Sequence, residues 1–368
     1  MTETRIAYVV ATTAGGTGRH VAMLARGCAG LGMAVSVFGP DAVREAFPAA
    51  AFAPVDIGDR PRAGRDAAAV LRLRRLIALS EPDLVHAHGL RAAAAAALAL
   101  PRGPRGQRPA LVVTVHNAAP PGPPSAAVYR ALERLAARRA DAVLCVSADL
   151  AERMRRAGAR DVGLAVVPAP PAAPPAAGAV EKARADIAAD GRPVVLAVGR
   201  CAPQKGFDVL IEAMSLLRDR DPVPLLAIAG EGPLADQLAS QALASGAGVR
   251  FLGHRGDVPA LLAAADVTAV PSRWEGQPLI VQEALRAGRP LVASRVGGIP
   301  ALTGEDGALL VPPGAPGQLA AALRSVIDDQ TLSARLAASA AARAAALPSP
   351  SDAIDAAAAL YARLGARR

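Results

Sequence analysis

Aromatic residues are scarce in this 368-residue chain, at 2% of positions. Proteins that bind single-stranded nucleic acid by base stacking need aromatic faces, so the composition argues against that class. The three cysteines, Cys28, Cys145 and Cys201, lie far apart and form no CxxC pair. This spacing excludes a disulfide framework and a cysteine-built zinc site, and it fits a reducing compartment.

Long hydrophobic runs are also missing, since no apolar stretch reaches the ~20 residues that span a bilayer. The first ten residues, MTETRIAYVV, lack the layout of a signal peptide. We therefore expect a cytoplasmic protein, with peripheral attachment to the inner face of the membrane as a further hypothesis. With 52% hydrophobic and 20% charged residues, the chain can bury sizeable cores, and its length suits two domains.

Lysine is nearly absent, with Lys182 and Lys205 alone among 41 basic residues. The net charge is +9, and it is distributed unevenly. Up to Gly178 there are 22 arginines and 13 acidic residues, whereas the remainder has 19 basic and 19 acidic residues. The whole basic excess therefore lies in the first half, which indicates an anionic partner there.

Short apolar runs alternate with helical stretches in both halves of the chain, which predicts parallel sheets covered on both faces. The predicted strands are 5–11, 34–38, 84–87, 110–115, 142–146, 194–198, 225–229, 249–252, 267–270 and 291–293. A Pro- and Ala-rich segment after Pro168 is too stiff for helix or central strand, so we place a linker at 171–178. The predicted domains are an N-terminal Rossmann-like domain, 1–170, and a second such domain, 179–347. A final helix within 348–368 is expected to cross back onto the first domain.

The first chemical motif is Gly199-Arg200-Cys-Ala-Pro203-Gln-Lys205-Gly206, which follows a predicted strand and precedes a predicted helix. In open parallel sheets, ligands bind beyond the carboxyl ends of the strands. A helix N-terminus with an arginine and a lysine beside it suits phosphate. The alternative is a solvated basic turn, but the rarity of lysine favours a phosphate site.

The second motif runs from Pro271 to Glu283 and carries two glutamates eight positions apart, Glu275 in a loop and Glu283 inside a helix. A loop carboxylate can bind sugar hydroxyls, and a carboxylate on the helix suits the vicinal diol of a ribose. For the two glutamates alone, a capping acid and a surface residue are an equally good interpretation.

Together these motifs resemble the retaining glycosyltransferases of family 4. The resemblance is dense over residues 194–315. Within that range it also includes Gly230-Glu231-Gly232-Pro233, Phe251-Leu252-Gly253, Val296-Gly-Gly-Ile-Pro300 and Leu310-Val-Pro-Pro-Gly314. It is looser in the first half, where it rests on Gly15-Gly16, His20, His86-Ala-His88 and Val115-His116. It implies a GT-B fold, in which two doubly wound Rossmann-like domains flank a deep interdomain cleft.

The resemblance also implies roles for individual residues. Arg200 and Lys205 would hold the diphosphate of a nucleotide-sugar, Glu283 the ribose and Glu275 the transferred sugar, with His116 near the reacting sugar carbon. Further donor contacts are implied for Gly16, Gly253, His254, Arg255, Gly276, Gln277, Pro278 and Leu279. Where relatives often carry an aromatic residue and glycine after Glu275-Gly276, this chain has Gln277-Pro278, which leaves the donor sugar open.

Acceptor binding is expected in the N-terminal domain, with Gly15, His20 and His88 as candidates. Arg72, Arg74 and Arg75 form a basic, partly apolar helix that could face an anionic membrane or a phosphorylated acceptor. Arginine enrichment on a solvated face explains the same pattern equally well. We expect a monomer or weak dimer.

Other cofactor signals are weak. Asp219-Arg-Asp221 matches the DxD of metal-dependent transferases but ends a predicted helix, and His86-Ala-His88 has no third ligand nearby in the sequence. No GxGxxG or Walker-type motif occurs, which disfavours a nicotinamide enzyme or a P-loop protein. We therefore expect no metal and no resident cofactor.

The sequence thus predicts a retaining, metal-independent glycosyltransferase. Its donor would be a nucleotide-diphospho-sugar, in the first instance a UDP-sugar, and its acceptor a glycan, a lipid-linked or a small phosphorylated or polyol compound. The alternatives are another GT-B nucleotide-sugar enzyme, such as an epimerase, and a non-catalytic protein that binds sugar-nucleotides or anionic surfaces. Nucleic acid is not expected as a partner.

Overall fold

The computed structural model describes residues 3–11, 16–48, 50–58, 62–103, 107–117, 125–171 and 173–365. The chain divides into two compact units. Unit 1 comprises Met1–Pro168 together with Pro348–Arg368, and unit 2 comprises Ala169–Leu347. Each unit contains its own parallel sheet with helices on both faces, as the alternating sequence pattern predicts.

The described part of unit 1 contains seven strands in the order β3-β2-β1-β4-β5-β6-β7. The strands are β1 (Arg5–Val10), β2 (Ala34–Gly39), β3 (Ala51–Pro54), β4 (Leu84–His88), β5 (Ala110–Val115), β6 (Ala142–Cys145) and β7 (Val162–Leu164). The helices before the change of unit are α1 (Gly16–Gly30), α2 (Ala63–Ser80), α3 (Leu90–Ala99), α4 (Ser125–Arg139) and α5 (Ala148–Arg156). All neighbouring strands pair in parallel.

The described part of unit 2 contains six strands in the order β10-β9-β8-β11-β12-β13, again all parallel. The strands are β8 (Val194–Val198), β9 (Leu225–Ala229), β10 (Val249–Gly253), β11 (Val267–Val270), β12 (Leu291–Ser294) and β13 (Leu309–Val311). The helices are α6 (Ala179–Ile187), α7 (Phe207–Ser215), α8 (Ala235–Ser245), α9 (Val258–Ala264), α10 (Leu279–Arg286), α11 (Ile299–Thr303), α12 (Pro316–Asp328) and α13 (Gln330–Ala345). Two apolar clusters, one on each face of the sheet, form the core.

The last helix, α14 (Pro350–Gly365), belongs to unit 1 and packs against α1. The approach is close because Gly27 has no side chain, and a Cβ there would overlap the side chain of Ile354. On the same helix Tyr361 is 1% exposed and packs in the core beside Tyr8. The chain therefore uses its C-terminal helix to cover one face of the first sheet.

Candidate active site

The candidate site of unit 2 lies where the strand order of its sheet reverses. β8 pairs with β9 on one side and with β11 on the other. Because right-handed crossovers then leave β8 and β11 toward opposite faces, a crevice forms at their carboxyl ends, which is the usual ligand position in such sheets. The two loops at this point are the β8 loop, residues 199–206, and the β11 loop, residues 271–278.

The β8 loop crosses the sheet edge through a short 3₁₀ turn, Pro203–Lys205, and enters α7 at Gly206. Gly206 has a left-handed backbone, with φ of 64°. A Cβ at this position would overlap the carbonyl oxygen of Pro271, so only glycine lets the two loops touch here. The backbone itself thus holds the two candidate motifs together.

The structure brings Lys205 and Glu275 into direct contact, although they are 70 positions apart. The Lys205 Nζ lies 2.5 Å from Glu275 Oε1, and the side chains are 19% and 5% exposed. Ser272 Oγ donates to the same oxygen at 2.8 Å. Gln204 Nε2 donates to the other oxygen, Oε2, at 3.1 Å. The sequence predicted the glutamate and the lysine as site residues, but it did not identify Gln204 or Ser272.

A second set of contacts joins the same loops. Arg273 forms a two-pronged ion pair with Asp208 in the first turn of α7, with both N–O distances at 2.6 Å. The backbone N–H of Arg273 also donates to the Gln204 carbonyl at 2.8 Å. Hydrogen bonding from Arg273 holds the pKa of Asp208 below its ordinary range, and the N–H groups of Asp208 and Val209 add to this effect. The loops are therefore one cross-linked body.

Arg200 is exposed and has no hydrogen-bond or ion-pair partner within the described ranges, unlike Lys205. Glu283 lies partly buried on α10, and Gln277, Pro278 and Leu279 lie at the start of that helix. Gly276 is buried, and its carbonyl accepts from the Gly298 N–H at 2.7 Å. The predicted phosphate and sugar residues thus all lie in the two loops or on the helix that follows.

The end of β10 carries the residues predicted to line the base. Gly253 ends the strand with a φ of 63°. His254 is exposed, and its backbone N–H donates to Glu231 at 3.3 Å. The Arg255 side chain is engaged elsewhere, in ion pairs with Asp257 and Asp186, and hydrogen bonding to Asp257 raises the pKa of its guanidinium. Contact between Arg255 and a nucleotide base would therefore be made by its backbone.

In unit 1, four histidines cluster near the carboxyl edge of the sheet. His86 and His88 lie on one face of β4 with ring centroids 4.1 Å apart. His116 follows β5, and His20 lies on α1 with its ring 5.7 Å from that of His116. All four are buried, with between 0% and 8% exposure. The structure thus brings together the predicted residues His20, His88 and His116.

The cluster has two hydrogen-bonded parts. His86 Nδ1 lies 2.6 Å from the Tyr361 hydroxyl, and its Nε2 lies 2.7 Å from Thr114 Oγ1. The Tyr361 hydroxyl in turn lies 3.0 Å from that of Tyr8. His86 is therefore a fully satisfied core histidine that joins α14 to β4 and β5. In the other part, His88 Nδ1 lies 3.1 Å from His116 Nε2.

Burial keeps these histidines neutral. Loss of hydration lowers the pKa of His20 to about 4 and that of His86 to about 3. The pKa values of His88 and His116 also lie well below the ordinary range, chiefly through burial and secondarily through the neighbouring histidines. At neutral pH the predicted catalytic His116 is therefore an uncharged imidazole.

Three buried polar atoms of this region have no hydrogen-bond partner among the described residues: His20 Nδ1, His88 Nε2 and Ser147 Oγ. Ser147 follows β6 and is 4% exposed. Since β6 pairs with β5, Ser147 lies at the same edge as His116. Ser147 was not among the predicted site residues, although it directly follows the predicted strand 142–146.

The predicted basic helix is α2, and its arginines differ in availability. Arg72 Nε donates to the Pro54 carbonyl at 2.8 Å. Arg74 donates to the last carbonyls of α3, those of Leu98 and Ala99, at 3.1 and 3.3 Å. Arg75 is exposed and has no such partner within the described chain. Two of the three predicted surface arginines thus also satisfy backbone carbonyls.

The remaining predictions are placed as follows. Gly16 begins α1, whereas Gly15 lies outside the described residues. Asp219 of the DxD sequence pairs with Arg324. Within the described ranges, no group of three or more His, Cys, Asp or Glu side chains is arranged to hold a metal ion. Nor does any described helix combine the length and hydropathy required to cross a membrane.

Comparison with known proteins gives a glycosyltransferase match in each half of the chain. The Glycosyltransferase Family 4 model matches residues 14–170, and the Glycosyl transferases group 1 model matches residues 192–329. An alpha-D-kanosaminyltransferase of Streptomyces kanamyceticus is 36% identical over 183 residues, which are 48% of this chain and 47% of that protein. A D-inositol 3-phosphate glycosyltransferase of Corynebacterium glutamicum is 38% identical over 154 residues, 39% of this chain and 37% of that one. The chain thus spans less than half the length of each of these curated relatives.

Among solved structures, Anabaena Alr3699/HepE in complex with UDP-glucose superposes with a TM-score of 0.80. The match covers 98% of this chain and 99% of that one at 22% sequence identity, so it concerns the fold. The two parallel sheets, this structural match and the family matches in both halves lead to one conclusion. The chain has the GT-B fold of the glycosyltransferases, as the sequence predicted.

Proposed function

We propose that the protein is a retaining glycosyltransferase that uses a nucleotide-diphospho-sugar, with the donor bound by unit 2. The observation that carries this proposal is the placement of Arg200 and Lys205 at the strand-order reversal of the second sheet, beside the buried carboxylate of Glu275. The two basic side chains suit the diphosphate of such a donor, and the neighbouring carboxylate of Glu275 suits the hydroxyls of its sugar. Matches to glycosyltransferase families in both halves support the same interpretation.

The diphosphate would be held by Arg200 and Lys205. Arg200 is exposed and without a partner in the described chain, so its guanidinium is free to make two hydrogen bonds to one phosphate. Lys205 already lies at the crevice with its ammonium on Glu275. As the bond to the sugar breaks, these two cations would stabilise the negative charge that develops on the leaving nucleoside diphosphate.

The sugar and ribose would be held by the two glutamates. Glu275 is positioned by three donors, and the fourth lone-pair site of its carboxylate remains for a sugar hydroxyl. Glu283 lies two turns into α10, where its carboxylate suits the vicinal diol of the ribose. A uridine donor is the first choice, because the solved structure of similar fold was obtained with UDP-glucose.

Retention would follow without a covalent enzyme intermediate. The acceptor hydroxyl would attack from the face of the leaving phosphate, and a phosphate oxygen would take the acceptor proton. The protein then supplies charge stabilisation and positioning rather than a nucleophile. We assign neither Glu275 nor Glu283 the acid or nucleophile role of a glycosidase.

Unit 1 would bind the acceptor at the carboxyl edge of its sheet. The neutral imidazole of His116 can donate or accept a hydrogen bond there without adding charge. Ser147 Oγ, which has no partner among the described residues and follows the adjacent strand, is a further candidate to bind a hydroxyl of the acceptor. The arginine excess of this unit would attract a phosphorylated or lipid-linked acceptor and an anionic membrane face.

A thermal-shift panel tests the proposal most directly. Uridine, guanosine and adenosine diphosphates and their glucose or mannose conjugates are added to the full chain without metal. We expect one nucleoside series to raise Tm, and its sugar conjugate to release nucleoside diphosphate on addition of an acceptor. Binding with isomerisation of the free sugar-nucleotide would indicate an epimerase instead. No response to any nucleotide would overturn the donor assignment.

A further inference from the structure

Gln204 occupies an unusual position between the two loops of unit 2. Its backbone carbonyl accepts from the Arg273 N–H at 2.8 Å. Its side-chain Nε2 donates twice to the β11 loop, to the Trp274 carbonyl at 3.0 Å and to Glu275 Oε2 at 3.1 Å. The amide orientation is fixed by chemistry, because a flipped amide would place its oxygen against two acceptors.

The three donors on Glu275 differ in what they can do. Lys205 and Ser272 both serve Oε1, whereas Gln204 is the donor on Oε2 among the hydrogen bonds of the described residues. Lys205 carries a charge on a flexible four-carbon stem, so a diphosphate can draw it away. Ser272 and Gln204 are neutral and have no such competing attraction.

One donor on each oxygen is the minimum that fixes the plane of a carboxylate. With Ser272 alone, Glu275 would keep one anchored oxygen and would rotate about its last side-chain bond. With Gln204 also present, both oxygens stay in place while Lys205 changes partner. The side chain of Glu275 is 5% exposed, so water does not readily replace a lost donor.

We propose that Gln204 is a positioning residue that holds the Glu275 carboxylate toward the transferred sugar when Lys205 turns to the diphosphate of the donor. This inference rests on the proposed function of the same site. Gln204 itself need not touch the donor, and it acts through the second oxygen of Glu275. Binding of the sugar moiety should therefore depend on Gln204, whereas binding of a nucleoside diphosphate should not.

The test compares UDP with UDP-glucose, or the guanosine pair if that series stabilises the wild-type chain. Gln204→Met keeps the length of the side chain and removes its hydrogen bonds. We expect the rate of sugar release or transfer to fall about 10-fold to 100-fold, as for loss of a hydrogen bond to a charged group. The affinity for the nucleoside diphosphate should stay within about twofold, because Arg200 and Lys205 remain.

Gln204→Glu gives a signature that a purely structural role would lack. It places a second carboxylate against Glu275 and removes the N–H donor, so activity at neutral pH should fall further than in Gln204→Met. As the pH is lowered, a proton shared between the two carboxylates restores a donor. The activity of Gln204→Glu relative to wild type should therefore recover toward acid pH, whereas that of Gln204→Met should not.

Gln241→Met is the matched control. Gln241 also donates its amide N–H to a backbone carbonyl, that of Asp208 at 2.8 Å, but it does not contact Glu275. The Gln241→Met variant should transfer sugar at nearly the wild-type rate. Unchanged activity of Gln204→Met overturns the inference, and so does a parallel loss of nucleoside diphosphate affinity, which would mean that the loop has collapsed. If the wild type binds no nucleoside diphosphate, the proposed function itself fails.

Discussion

The two sheets carry different polar groups at their carboxyl edges. In unit 2, the groups are charged and paired, as in Lys205 with Glu275 and Arg273 with Asp208. In unit 1 they are neutral imidazoles held by burial, and some of their polar atoms have no partner in the described chain. The same architecture therefore presents two chemically distinct edges.

Under the proposed function, the two edges differ because they bind different ligands. A diphosphate needs fixed positive charge, and buried charge is tolerated only when it is paired. Lys205 with Glu275 is such a pair, and it keeps the site stable until an anion replaces one partner. Neutral donors and acceptors suit a hydroxyl-bearing compound instead, because they impose no charge on it. Under the proposed function, the paired charges of unit 2 thus suit a diphosphate, and the neutral groups of unit 1 suit a hydroxyl of the acceptor.

The largest effect should come from the charged edge. Arg200→Ala and Lys205→Ala should each lower the rate of transfer by at least ~10²-fold, because each removes a cation that stabilises the leaving group. Steady-state kinetics with the donor identified by thermal shift provides the measurement. Arg250→Ala, an exposed arginine on β10 of the same unit, is the control. Activity near wild type in either variant would refute the phosphate assignment.

The neutral edge should give the next largest effect. Removal of His116 as a hydrogen-bonding group should cost ~10²-fold in His116→Ala. His88→Phe should cost about tenfold, since it removes the hydrogen bond between His88 Nδ1 and His116 Nε2 but leaves His116 in place.

The direction of the hydrogen bond between His88 Nδ1 and His116 Nε2 can also be tested. His88 Nε2 has no partner among the described residues. We therefore expect the proton of His88 on Nδ1, because a proton on Nε2 would be a buried N–H without an acceptor. His116 would then carry its own proton on Nδ1. Nitrogen-15 NMR of the histidine side chains distinguishes the tautomers, and an Nε2 proton on His116 would contradict this assignment.

Several strands could be predicted from the sequence to the residue, among them Ala110–Val115, Val194–Val198 and Leu225–Ala229. These are continuous apolar runs bounded by turn residues, as buried parallel strands require. The short strands β3, β7 and β13 were not predicted. All three are short strands at the edges of their sheets and are only partly buried, so no continuous buried run marks them in the sequence.

The types of site residue were predictable for a related reason. Strand ends mark the ligand edge of a parallel sheet, so Arg200 and Lys205 could be selected from their positions after a strand, whereas His116 was selected through the family resemblance. The contact between Lys205 and Glu275 could not be predicted, because it spans 70 positions.

As the pH falls below about 6.5, acid should destabilise unit 1 before it destabilises unit 2, whose paired carboxylates take up protons at lower pH. The folded-state pKa values of His20 and His86 are lowered to about 4 and about 3, against about 6.5 for an unfolded histidine. Because the unfolded chain then binds more protons, the stability contribution is complete above pH ~6.5 and is lost as pH falls toward those values. The slope is about 1.4 kcal/mol per pH unit for each histidine.

Thermal unfolding between pH 7 and pH 4 measures this effect, with amide exchange to assign it to a unit. His86→Asn should flatten the acid slope although it weakens the fold at neutral pH. His254→Asn, a change at an exposed histidine of unit 2, is the control. Equal acid sensitivity of exchange in both units would contradict the histidine explanation.

The smallest effect concerns the basic face of unit 1. The triple change Arg72/Arg74/Arg75→Glu would disturb the fold as well as the surface, since Arg72 and Arg74 donate hydrogen bonds to backbone carbonyls.

Arg75→Ala changes the surface charge alone, because Arg75 is exposed and unpaired within the described ranges. If unit 1 docks on an anionic membrane through α2, loss of one arginine removes about 1 kcal/mol, or about fivefold in vesicle affinity. Co-sedimentation with phosphatidylserine vesicles measures it, with Arg250→Ala of the neutral unit as control. Equal binding by Arg75→Ala and the wild type would show that the arginine excess of α2 serves its carbonyl contacts and not a membrane.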